Sequence, residues 1–435
     1  MVYQKDQELN LFEKFHYHRN ELHVSSCFIV GMNLNKKIES KKITNALNQL
    51  YNERTKLRLN IFEIDGAYIA KELDNFPSTS IQFIESDEPQ TTTLNQLHET
   101  TFEFGIQQTL WQIVVVNNQW IYILCEHTLY DGTTAALILE DLLQILNNNE
   151  ISKDLNPNEF EFNQIIKPSY LHLSSKITEV FAPKWLNSIV NYFKTNSLSK
   201  FESLEPGWIV ENGGHKEQTF HTEKHIISIS SNDFQKLKNL GNQHCVKFTS
   251  LWTYLNLISF AKLQNDNNVN ITIPFNIRSI LSSEYRKTYG LFVAAIQLNL
   301  IPPPSSSSNI DWDLCQFINN SLQKSNMLKS CELIGMLSYV NPLNLLENLI
   351  SNPRIPTLEI SNLGLRDSKN GFPIYANEFI FSQSNNLIGA SIMQSLASSN
   401  EKVNIVIGCV PEFKDNFQSF IKELENTLKE VLNGL

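Results

Sequence analysis

The 435-residue chain has no run of about 18 apolar residues, the length a helix needs to cross a bilayer, so no membrane span is expected. Its opening, MVYQKDQELN, lacks an apolar stretch, and no signal peptide is expected. Cysteine is scarce: there are six, none in a C-x-x-C pair, which argues against a disulfide framework and against a zinc site. Cys125, Cys245 and Cys409 lie in apolar runs and read as small core residues, and a reducing, cytoplasmic setting is expected. An excess of basic charge is missing too. With 35 Lys+Arg against 45 Asp+Glu, a nucleic-acid-binding surface is disfavoured, though a local basic patch for a phosphorylated ligand stays open. There is no internal repeat and no G-x-S-x-G nucleophile motif.

Apolar residues are plentiful. They make up 42% of the chain, and 26 Phe, 13 Tyr and 6 Trp could pack cores or line an apolar passage. The length predicts two domains. Ile43, Ala46, Leu47, Leu50 and Tyr51 recur at helical spacing, so 38–51 is an amphipathic helix. LRLNIFEI and AYIAKEL are strand-like, and LWQIVVV and QWIYILCEH form a hairpin across NNQ. A helix begins near Thr133. Regularity fades over 147–215, where one helix is expected near 175–195. It returns with HIISIS, a helix DFQKLKNLG, the apolar helix TSLWTYLNLISFAKL and the strand VNITIPFNI. A helix is expected over about 311–328, then TLEISNLG as a strand ending in a turn at Gly364. FIFSQ, IGASIMQSLA and VNIVIGCV follow as strands, and an amphipathic tail helix closes the chain. Hairpins rule out a purely parallel sheet. The reading is two α/β domains with mixed sheets: an N-terminal half over 1–146, a crossover connection over 147–215 and a C-terminal half over 216–435.

One stretch carries chemistry. In ILCEHTLYDGTTA, alternation puts Ile121, Ile123, Cys125 and His127 on one strand face, with His127 at its exposed end. A neutral imidazole there can accept a proton from a bound hydroxyl or amine. Asp131, four residues on, can fold away and clamp the loop through an arginine; Arg278 in IPFNIRSIL is the candidate partner. Gly132 allows an angle or an approach that a Cβ would block. H-x-x-x-D-G also recurs by chance, and a strand-end histidine is more often merely hydrogen-bonded.

Taken in order, LWQIVVV…IYILCEHTLYDGTTA, IPFNIRSILSSEYRKTYGLFVAAI and TLEISNLG resemble the CoA-dependent acyltransferases of the chloramphenicol acetyltransferase-like fold, and among them the fungal alcohol O-acetyltransferase family. The opening FHYHRNELHVSSCFIVGMNLN resembles that family's first segment. The resemblance implies two chloramphenicol acetyltransferase-like domains with largely antiparallel sheets flanked by helices, meeting at an active-site tunnel. It implies an acyl-CoA co-substrate, acetyl-CoA foremost, and a small or apolar alcohol as acceptor. His127 would be the general base and Asp131 its structural aspartate, with Gly132 and Arg278 supporting the site. Ser361 and Asn362 would lie at a turn near the tunnel. Neither an acyl-enzyme, a metal nor a permanently bound cofactor is implied. A monomer is expected, with peripheral contact to endoplasmic reticulum or lipid droplets left open. N-acetylation of an amine, such as a sphingoid base or a toxin, is the alternative; a non-catalytic binding protein is a further one.

The chain departs from relatives at TLWQ, where Thr109 and Gln112 replace a common Pro and Arg. Glu126 stands where condensation-type relatives have the first of two histidines. Four other features have simple accounts. HTEKH at 221–225 reads as strand rather than as a metal chelate. His16 and His18 of FHYHR suit a surface or interface. KKIESKK at 36–42 is a solvated helix start that could touch an anionic membrane surface. The tail helix docks on its own domain rather than on lipid.

Overall fold

A computed structural model describes residues 6–153, 160–167, 199–203, 220–263, 268–305, 309–352, 354, 356–369 and 371–435. Its strands are β1 (Asp6–Glu8), β2 (Phe28–Leu34), β3 (Leu59–Ile64), β4 (Ala67–Glu72), β5 (Ile81–Ile84), β6 (Trp111–Val116), β7 (Trp120–Cys125), β8 (Glu223–Ser230), β9 (Val269–Asn276), β10 (Val293–Leu300), β11 (Leu358–Leu365), β12 (Ala376–Gln383), β13 (Ile392–Ser398) and β14 (Lys402–Cys409). They form a small sheet β1-β4-β3, a five-stranded sheet β12-β2-β7-β6-β5 and a six-stranded sheet β10-β9-β11-β13-β14-β8. Pairing is antiparallel except at β5–β6, β11–β13 and β11–β9, so the sheets are mixed and largely antiparallel.

The periodic elements fall where the patterns put them. The helix Ser40–Glu53 buries Ile43, Ala46, Leu47, Leu50 and Tyr51. The β6–β7 hairpin turns on Asn117 and Asn118, both in the left-handed region (φ 54° and 57°) that asparagine tolerates. Ile121, Ile123 and Cys125 face the N-terminal core, while Tyr122 and Leu124 pack in a second cluster beneath the sheet. The helix Phe248–Leu263 is buried almost all round, as its near-continuous apolar sequence requires. The tail helix Lys414–Asn433 lays Phe417, Phe420, Ile421, Leu424 and Leu428 inward, with Phe420 4.7 Å from Phe260 of the buried helix.

Several expectations change. FIFSQ lies in the stretch expected to form the C-terminal half, yet β12 hydrogen-bonds as a strand to β2 of the N-terminal half, Phe381 opposite Val30. Strand order depends on partners far along the chain, which local patterning does not encode. TLEISNLG is strand through Leu365, with a register shift between Asn362 and Leu365 and Gly364 at φ 71°, rather than strand then turn. The helix expected over 311–328 is two, Trp312–Ser321 and Lys324–Gly335, and a further helix, Pro342–Ser351, follows. Cys245 is exposed at a turn with φ 58°, not in the core. The helix expected near 175–195 lies outside the described residues. Among the described residues no helix is long and apolar enough to cross a membrane.

Candidate active site

A cavity of about 540 Å³ lies where the two halves meet, walled by Phe28, His127, Asp131 and Gly132 from one and by β9, β10 and β11 from the other. The turn that delivers His127 is built by its neighbours. β7 ends at Cys125, so His127 sits just past the strand rather than on it. The backbone N–H of Glu126 donates to Leu110 (3.0 Å), and its buried carboxylate accepts the N–H of Thr128 (2.6 Å). Asp131 then caps the helix Gly132–Leu146, accepting from Thr134 N–H at 2.7 Å.

Asp131 makes no hydrogen bond to His127 among the described residues; it is held from the far half. Its Oδ2 accepts from Arg278 Nη1 and from the Phe292 N–H, both at 2.7 Å. Arg278 further donates to the Thr288 and Gly290 carbonyls, to Thr134 Oγ1 and to Asn276 Oδ1, and stacks 4.6 Å over the Phe292 ring. Every guanidinium nitrogen is thus satisfied, which a fully buried arginine needs. A Cβ on Gly132 would stand 2.8 Å from Leu363 Cδ2, so a larger residue there would push the Leu363 side chain aside.

His127 is half-buried on the cavity wall. Its Nδ1 is buried without a hydrogen-bond partner, which leaves Nε2 as the cavity-facing nitrogen. Burial, then the charge of Arg19, pull the imidazole down to about 4; the backbone carbonyls of His127 and Tyr130 and the Asp131 carboxylate pull weakly the other way. It is therefore neutral at physiological pH. Burial raises the Glu126 carboxyl to about 7 against the opposing Thr128 N–H.

Ser361 and Asn362 line the cavity from β11, not from a turn; Asn362 Nδ2 donates to Thr249 Oγ1 at 3.1 Å. Glu359, two residues earlier on the same strand, also faces the cavity and accepts from Gln383 Nε2 at 2.9 Å. Burial raises its carboxyl, and Arg19 partly offsets that.

The largest correction concerns FHYHR. It lies in the helix Leu11–Glu21, whose N-terminus Asn10 and Glu13 close as a capping box. His16 is not at a surface: it is 4% exposed, with its ring centroid 4.6 Å from that of His127 at 34°. Arg19 Nη1 lies 3.1 Å from His16 Nδ1, and both residues line the cavity. The helix buries Glu13, His16 and Tyr17, so its inner stripe is polar and carries little apolar signal. Histidine and arginine at i and i+3, inside a segment that resembles the opening of the acyltransferase family, is the cue the sequence offers.

The remaining candidates separate from the site. His221 pairs with Glu99 (2.7 Å) and His225 with Glu425 (2.9 Å), and no group of three metal-ligating side chains exists among the described residues. Cys125 is buried, and burial raises its thiol well above the ordinary range, as for a core residue.

In Saccharomyces cerevisiae, the N-acetyltransferase SLI1 is 22% identical over 86% of this chain and 89% of its own. The structure of TRI3 trichothecene 15-O-acetyltransferase from Fusarium sporotrichioides superposes with a TM-score of 0.65 at 10% identity, covering 98% of this chain and 94% of that one. A starter condensation domain of rhizomide synthetase, solved as a mutant with C8-CoA and Leu-SNAC, superposes at 0.62 with 12% identity over 99% of this chain and 95% of that one. These likenesses place the two mixed-sheet halves in the condensation-domain and acyltransferase fold. A family model described as alcohol acetyltransferase matches residues 73–432, and the chain belongs to that family of acyl-transferring enzymes.

Proposed function

We propose that the protein moves an acyl group, acetyl foremost, from acyl-CoA to the hydroxyl of a small or apolar alcohol, with His127 as general base and no covalent intermediate. The observation that carries this reading is the neutral, cavity-facing imidazole of His127, in a loop clamped by Asp131 and Arg278. A base near 4 does not strip a free alcohol; it takes the proton as the new C–O bond forms and the hydroxyl becomes acidic. Asp131 holds the loop, and Gly132 lets the strand bearing Leu363 close against it. The cavity's Phe12, Phe15, Phe28 and Phe292 suit an apolar acceptor, and CoA would be a co-substrate rather than a resident cofactor.

A second reading, N-acylation, draws support from the name of the yeast relative and from the Glu359 carboxylate on the cavity wall, which suits an amine. Thiol release from acetyl-CoA with alcohol and amine panels, followed by mass analysis of products, tests both. A His127→Ala protein that keeps full activity sinks both.

A further inference from the structure

The tetrahedral intermediate of acyl transfer carries an oxyanion, and its donor has no assignment so far. The His16 ring packs against that of the base, 4.6 Å between centroids, in the same cavity. Its neighbour decides which nitrogen carries the hydrogen. A guanidinium only donates, so the 3.1 Å contact with Arg19 Nη1 makes His16 Nδ1 the acceptor. In a neutral ring the hydrogen is then on Nε2, which has no hydrogen-bond partner among the described residues and belongs to a cavity-lining ring. We propose that His16 Nε2–H is the oxyanion donor of the acyl transfer, with Arg19 as the positioning residue that sets its tautomer. This rests on the acyl-transfer reading above.

The step balances. The acceptor oxygen bonds to the thioester carbon while its proton passes to His127 Nε2. The carbonyl π pair moves to oxygen, which accepts from His16 Nε2–H. The pair then returns, the C–S bond breaks, and the CoA thiolate takes the proton from the His127 imidazolium. Supporting observations agree. Burial, Arg19 and His127 hold the His16 ring well below its ordinary value, so it stays a neutral donor through the cycle. Burial lowers the Arg19 guanidinium, the carboxyl groups of Glu359 and Glu126 oppose that, and its buried Nε has no partner. Phe12 and Phe15 meet the His16 ring edge-on, at 4.8 and 5.8 Å, and fix its plane.

The test compares H16M and H16Q, similar in bulk, without and with an N–H donor. Thiol release from acetyl-CoA is measured on the best acceptor, and folding by thermal melting. H16M is expected to lose about 10²–10³-fold in kcat with little change in KM for acetyl-CoA, and H16Q to recover about tenfold of that loss. Nitrogen-15 chemical shifts of histidine-labelled wild type should show His16 as the Nε2–H form, and R19Q should mix the tautomers. R19Q should also raise the acidic limb that His127 sets. H16M with wild-type kcat, H16Q no better than H16M, or an Nδ1–H ring in the wild type overturns the proposal, whatever the state of H127A. A wild type inactive on every alcohol and amine would instead sink the proposed function, and this assignment with it.

Discussion

Asp131 Oδ2 and Arg278 Nη1 meet at 2.7 Å with side chains 4% and 1% exposed, joining the motif loop to the opposite half of the molecule. Removing one partner strands a charge in a dry setting, at a typical cost of roughly 3–5 kcal/mol. R278A should therefore lower the melting temperature sharply and abolish thiol release. R278K should rescue little, because an ammonium cannot serve Thr288, Gly290, Thr134 and Asp131 together. A Lys variant with wild-type melting and rate would refute the clamp.

The pH dependence follows from His127. As the proposed general base it must be neutral to act, and its value is lowered to about 4, so kcat/KM should be flat from neutral pH down through pH 6 and fall only near pH 4. An acidic limb at the ordinary histidine value of about 6.5 would show that burial and Arg19 do not act on the ring as described.

Gly132 faces Leu363 across the interface. G132A should destabilise modestly, by about 0.5–1.5 kcal/mol, because the Leu363 side chain must turn away from the 2.8 Å contact, and L363A should relieve part of that loss in the double variant. Strict additivity in denaturant melts would mean that the two residues do not meet.

Glu359 separates the acceptor classes. E359Q keeps the side chain's shape and its place beside Gln383 but removes its charge. Amine acceptors should lose about tenfold in kcat/KM, as expected for a charged hydrogen bond, while alcohols change little. Equal effects on both would leave Glu359 no part in acceptor choice.

Much of this was legible before any coordinates. The β6–β7 hairpin, the helix after it and the tail helix show their periods plainly, because each packs one apolar face on one core. Asp131 and Arg278, 147 residues apart, could be paired from chemistry and motif order. His16 and Arg19 were not legible as site residues, because a helix that turns polar groups inward has no apolar stripe to announce it. β12 reads as a strand in sequence, but which sheet it joins depends on β2, some 350 residues earlier, and no local pattern records that.

The transfer of β12 across the molecule has a consequence for how the chain can be divided. A fragment ending near residue 146 would bare the hydrogen-bonding edge of β2, and its counterpart would carry β12 without its ladder partner, held only by contacts such as Asn404 Nδ2 to the Phe379 carbonyl. Neither piece is self-sufficient. The cavity is therefore assembled only when the last third of the polypeptide has been made, and truncation there should yield aggregates rather than a weakened protein.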